Sequence, residues 1–143
     1  MGFNNGPLRV PRFPKTILTC TATATSNPTV QMAEASGFGE WEFALTGTFT
    51  GFSVQLYGTI DPKAVNDDGT PNTTYGAPGA AGAAWFPLPA QSTEGTGDTS
   101  VFNNPLTAIN QIMHYKGHLV AVCAVATGTS PTGTCNVVSW ATD

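Results

Sequence analysis

The side chains that could do chemistry are few and scattered. Histidine occurs twice, at His114 and His118. On an unbroken strand these positions share a face, as a metal-binding pair needs. Gly117 interrupts the run, and no Asp, Glu or Cys stands near enough to complete a ligand set. Glu40 and Glu42 flank Trp41 and point to one side of a strand. Two carboxylates on one face can cleave a glycosidic bond at the right separation, but on a solvent face they are surface charges. Residues 66–69, Asn-Asp-Asp-Gly, have the acids and glycine of a calcium loop without its alternating ligands or closing glutamate. There is no Gly-x-Ser-x-Gly elbow, and no phosphate-cradling glycine loop ahead of a helix. The expectation is a protein that is not an enzyme, with no catalytic residue, no metal and no cofactor.

The three cysteines, Cys20, Cys123 and Cys135, lie in apolar runs at no metal-like spacing. They read as buried free thiols. A single disulfide, for example Cys123 to Cys135 across a C-terminal hairpin, is the alternative that geometry must decide.

Charged residues are 10% of the chain, against about 25% in an ordinary soluble domain. Thr, Ser, Asn and Gln must keep its surface wet. Such a surface suits a protein that lives against another surface. A net charge of -4 argues against nucleic acid as a partner, because phosphate binding needs clustered cations. Arg9, Arg12 and Lys15 are three of the five cations, so an acidic body carries a basic N-terminal arm. No apolar run reaches the roughly 18 residues of a membrane span, and no signal peptide follows Met1. A myristoylation signal fails at Gly6, where Ser or Thr is needed.

The elements that must position these residues read as strands. In residues 41–61, Trp41, Phe43 and Leu45 alternate with polar or small residues, and so do Val54 and Leu56. Glycines at 47 and 51 between the two runs predict a hairpin turn. Residues 16–25 alternate Thr with small apolar residues and predict a strand with a threonine outer face. That ladder could meet ice or carbohydrate, or simply water. Residues 117–126 and 134–141 predict two strands of a final hairpin closed by a loop at 127–133. Residues 84–88, with Pro87, predict an edge strand. Residues 106–115 read as a strand or a short helix, the strand preferred, and no other helix is expected. The fold class is all-β, an antiparallel β-sandwich, jelly-roll-like, in one domain over residues 16–143.

Two stretches fall outside that pattern. Residues 1–15 hold Pro7, Pro11 and Pro14, which favour an extended arm. At ~3.1 Å per residue it reaches on the order of 45 Å. Phe3, Leu8, Val10 and Phe13 give the arm apolar anchors beside Arg9, Arg12 and Lys15, so the arm is expected to dock on a neighbouring subunit or partner; the alternatives are an arm folded back over its own domain and a mobile tail. Residues 62–83 predict a long structureless loop, of a length usually tied to function. Asp67, Asp68 and Tyr75 are its candidate contact residues. Trp41, Tyr57, Trp85, Tyr115 and Trp140 could form a sugar-stacking platform, or pack in the core.

Residues 43–61, FALTGTFTGFSVQLYGTID, are followed by Trp85 where the next strand should begin, and the chain ends in an apolar strand, a TGTSPTG loop and a closing strand. This resembles a β-sandwich domain common in structural proteins of tailed bacteriophages, including head decoration (cement) and tail-associated proteins. The resemblance covers roughly residues 41–141 and rests on strand and turn residues. It implies a virion protein on the capsid exterior, assembled in the host bacterial cytoplasm. Its partner would be the major capsid protein, and it would be a homo-oligomer, dimer or trimer. The alternatives are a carbohydrate- or receptor-binding module and a tail or neck structural protein.

Overall fold

The computed structural model describes residues 15–21, 30–34, 39–80, 82–89 and 105–142, with backbone only for 30–34 and 142. Among them six strands form one antiparallel sheet: β1 (Lys15–Thr21), β2 (Val30–Glu34), β3 (Glu40–Thr59), β4 (Phe86–Pro87), β5 (Ile112–Lys116) and β6 (Ala121–Thr142). The described residues include no α-helix, and no helix long and apolar enough to cross a membrane. The all-β, antiparallel expectation holds.

The hairpins do not. Residues 41–61 form no turn: β3 runs straight through its glycines for 20 residues. The C-terminal pair is likewise one strand, with 127–133 inside it rather than in a loop. β3 and β6 pair with each other from Glu40↔Thr142 to Thr59↔Ala121. The reason lies in backbone hydrogen bonding. A local turn would pair each strand half with its own other half; continuing both strands gives nearly every residue a partner on the other.

The turn chemistry is spent on a bulge instead. Thr50 pairs with Thr132 and Phe52 with Gly128, so Gly51 alone faces residues 129–131. Gly51 has φ +77° and Ser130 φ +46°, left-handed values that a bulge requires and glycine tolerates. The extra residues flip the side-chain phase. Before the bulge β3 buries Trp41, Phe43 and Leu45; after it, Phe52, Val54 and Leu56.

Each half of the ribbon is flanked by shorter strands. β1 and β5 border the Glu40 half, β1 on β6 and β5 on β3. β2 and β4 border the Thr59 half. The apolar faces of both halves feed one core, which also takes Ile17, Leu88, Leu106, Met113 and Leu119. Trp41 and Phe43 stack within it, centroids 6.3 Å apart. β4 is the short edge strand that Pro87 allows. Of 106–115, only Ile112 onward is strand; Leu106 makes an isolated bridge to Val54. Lys15 belongs to β1, opposite Ser139, rather than to the arm.

Residues 62–85 are not structureless. Asp61 caps a 3-10 turn at Pro62–Ala64, accepting from the Lys63 amide at 2.9 Å. A second turn, Thr73–Tyr75, is capped by Asn72. Val65 bridges Pro71, and the Asn72 amide donates to the Ala64 carbonyl at 2.8 Å. The segment folds back over the Thr59 half, where Ala64 and Trp85 close over Ala121 and Cys123. Thr59 is buried beneath it and donates to the Ala84 carbonyl at 2.9 Å. Ile60 lies past the end of β3 and is exposed.

Candidate functional site

Residues 62–80 and 82–85 cover the side of the Thr59 half away from the core; among the described residues the same side of the Glu40 half, shared by β1, β6 and β3, stays open. Thr46, Thr48 and Thr50 project from β3 at alternate positions. Across β6 they meet Asn136, Thr134 and Thr132, and beyond those lie Thr19 and Thr21 of β1. Directly paired residues share a face, so these eight side chains form one array, all exposed except the half-buried Asn136. Neighbours lie roughly 5 Å apart across strands and 7 Å along them. Thr19 Oγ1 donates to Asn136 Oδ1 at 2.8 Å, and the Thr50 and Thr132 hydroxyls are hydrogen-bonded at 2.5 Å. The array carries no charge and presents only hydroxyls, one amide and methyl groups.

Beside it runs an open groove of about 450 Å³, lined by Gly47, Thr48, Phe49, Thr50, Thr107, Ala108 and Ile109. Here β3 has no further strand among the described residues, because β5 pairs only as far as Ala44 and the Leu106 bridge starts at Val54. Phe49 packs against the core and edge-on to Phe52, 6.0 Å away. The Gln111 side chain accepts from the Thr107 and Ala108 amides at 2.7 and 3.2 Å, which fixes the opposite wall. Ile109 stands exposed on that side, and Ile112 is exposed at the start of β5.

The candidate residues of the sequence fare unevenly. Phe3, Leu8, Arg9, Val10, Arg12 and Phe13 lie outside the described residues. Lys15 is exposed at the start of β1. Asp67, Asp68 and Tyr75 are exposed on the cover segment, but Asp68 is engaged: it accepts from the Thr70 amide at 3.0 Å and hydroxyl at 2.6 Å. Those bonds hold its carboxyl below the usual carboxylate range. They serve the turn, with Asn66 donating to Thr70 Oγ1 at 3.1 Å.

His114 and His118 are separated. His114 is buried on β5, opposite Glu42, with Nδ1 unpaired; His118 is exposed after the strand. Glu40 pairs with Lys116 at 3.8 Å. No group of three or more His, Cys, Asp and Glu among the described residues could hold a metal. Trp41 and Trp85 are buried and Trp140 half-buried, so these tryptophans present no continuous stacking surface. The proposed Cys123–Cys135 bridge is ruled out by register: Cys123 lies opposite Tyr57 and Met32, and Cys135 opposite Cys20 and Gly47.

Sequence reasoning found the Thr face of β1 but missed its continuation. The signal was the Thr46, Thr48, Thr50 alternation, read as turn chemistry. Comparison with protein-family models, curated proteins and solved structures returns no match.

Proposed function

We propose that this chain is a non-catalytic docking protein of a phage virion, a head decoration (cement) protein that binds the capsid exterior and bridges capsid subunits. The observation that carries the reading is the eight-residue Thr/Asn array with the groove beside it. A broad surface without ions can be covered without stripping water from charges, which is costly. Its hydroxyls can pair with backbone groups of a partner, and its methyls add apolar contact. The resemblance of residues 43–61 and 85 to phage structural domains supplies the class. One core fed by both halves of the sheet supports the jelly-roll-like sandwich of that class. The segment 1–14 would supply reach, and Arg9 and Arg12, with Lys15 at the start of β1, charge opposite to an acidic capsid surface. Assembly as a dimer or trimer belongs to the same reading.

The test is co-sedimentation with purified capsids of the parent phage. Full-length chain is expected in the pellet, and chains with Thr48→Asp plus Thr134→Asp, or lacking residues 1–14, are expected to lose most of their occupancy. Equal pelleting of all three would sink the proposal. Mass spectrometry of virions separates head from tail or neck by copy number. The second reading, a carbohydrate- or receptor-binding module, is favoured by the hydrogen-bonding character of the array. Saturable binding on a glycan array, lost on Thr48→Asp, would select it.

A further inference from the structure

Cys20 of β1 and Cys135 of β6 are direct cross-strand partners. Their side chains therefore share the inner face, and both are buried in the core as free thiols. Opposed residues of antiparallel strands have α-carbons about 4.5–5.5 Å apart, within the span a disulfide bridges. On the far side of Cys135 the same row holds Gly47, which has no side chain to crowd the sulfur. Among the described residues β1 is the terminal strand of the sheet path. Peeling that one strand from β6 is enough to expose Cys20, a local opening. Cys123 shares none of this. It packs on the opposite face with Trp85 and Ala64, beneath the cover.

We propose that Cys20 and Cys135 are a disulfide site, closed by exchange with a small disulfide such as oxidised glutathione, that staples β1 to β6. The chemistry is two successive exchanges. One cysteine thiolate attacks the glutathione disulfide, forming a mixed disulfide and releasing one glutathione thiolate. The second cysteine thiolate attacks the protein sulfur, closing the bridge and releasing the other glutathione. The protein gives up two protons and two electrons, which reduce one glutathione disulfide to two thiols. Burial holds both thiols protonated in the closed sheet, so exchange proceeds when β1 opens from β6. A reducing cytoplasm keeps the pair open and an oxidising medium closes it. Closure has a mechanical result. A load that peels β1 from Lys15 onward is stopped by the staple at Cys20.

The experiment uses the full chain alone, so its outcome is independent of capsid docking. Wild type, Cys123→Ser, Cys20→Ser and Cys135→Ser are refolded from denaturant in a glutathione redox buffer, quenched in acid and mapped by mass spectrometry. Wild type and Cys123→Ser are expected to lose two hydrogens and to yield a single linked peptide pair containing Cys20 and Cys135. The other two variants are expected to form no intrachain bridge. The bridged Cys123→Ser chain is expected to melt roughly 5–15 °C above its reduced form. Bridges to Cys123 at comparable yield in wild type, glutathione adducts that never close, or a lower melting temperature on bridging would each overturn the proposal. Mapping of wild type decides the pairing even where a variant fails to fold.

Discussion

Gly47 turns its α-carbon onto the backbone carbonyl of Thr134 across the β3–β6 pair, leaving no room for a methyl group. Gly133 faces the Thr48 carbonyl in the same way, and both have positive φ, +110° and +81°. Two strands this close owe their contact to missing side chains. Gly47→Ala or Gly133→Ala is expected to cost roughly 3–5 kcal/mol, combining backbone strain with overpacking against fixed backbone. Gly69→Ala makes the control: φ is +83° but the space is open, so about 1–2 kcal/mol is expected. Urea denaturation measures all three, and equal losses would contradict the close approach.

The same glycines show what was legible in the sequence. The alternation of Trp41, Phe43 and Leu45, then of Val54 and Leu56, correctly marks two strand runs and both buried faces. The phase changes between them, from odd to even. A turn and a bulge both produce that change, and both use glycine at positive φ. What separates them is the partner, and the partner of 40–59 lies at 121–142. A periodicity read within one window carries no information about a strand that far away.

Trp85→Ala is expected to loosen the cover. The indole is buried against Cys123 and Ala64, and a Trp-to-Ala cavity costs about 3–5 kcal/mol. Limited proteolysis should then cut first within residues 62–84, at protease levels that leave wild type whole. Cleavage elsewhere first would show that Trp85 does not hold the segment down.

Alkaline pH is expected to weaken the fold through the thiols. Burial, reinforced by Cys20, pushes the Cys135 thiol from 9.0 up to about 12. Burial raises Cys20 and, more strongly, Cys123. The unfolded chain ionises them near 9.0, so above that pH the folded form holds more protons. Their contribution is whole below pH 9 and is lost as the pH climbs toward 12. The urea midpoint should fall over pH 9–11, and less steeply in Cys135→Ala. Parallel slopes in the two proteins would refute the assignment.

Asp68 gives the opposite sign at the acid end. Its carboxyl is held below 3.8 by the Thr70 hydroxyl and amide, so the turn at 66–70 keeps its bonds down to pH values where ordinary aspartates are protonated. The Thr70 amide resonance should titrate with a midpoint below 3.8. Thr70→Val should move the Asp68 midpoint back up. An unmoved midpoint would mean the hydroxyl bond is not formed in solution.

The candidate surface was less legible than the core. Thr19 and Thr21 on one strand look like any solvent face. Their meaning changes when Asn136, Thr134, Thr46 and Thr48 are drawn alongside, and that neighbourhood exists only after β6 has paired on both edges. Asp67, Asp68 and Tyr75 were expected in a free loop. Polar content gave no warning that Ala64 and Trp85 would anchor that segment to the sheet.

The pairing of β3 with β6 also sets the order in which the protein can be made. Among the described residues β1, β2 and β3 share no ladder with one another, and β1 and β2 pair with β6 alone. While residues 15–59 leave the ribosome their described strands have no template: β3 waits for β4 and β5, and β1 and β2 wait for residues 121–142. Loop closure on that scale slows folding toward the millisecond-to-second range of high contact order. The apolar edges of β1 and β2 stay open meanwhile, so a stalled chain that stops short of residue 121 has β3 backed only by β4 and β5 and is a candidate for chaperone capture.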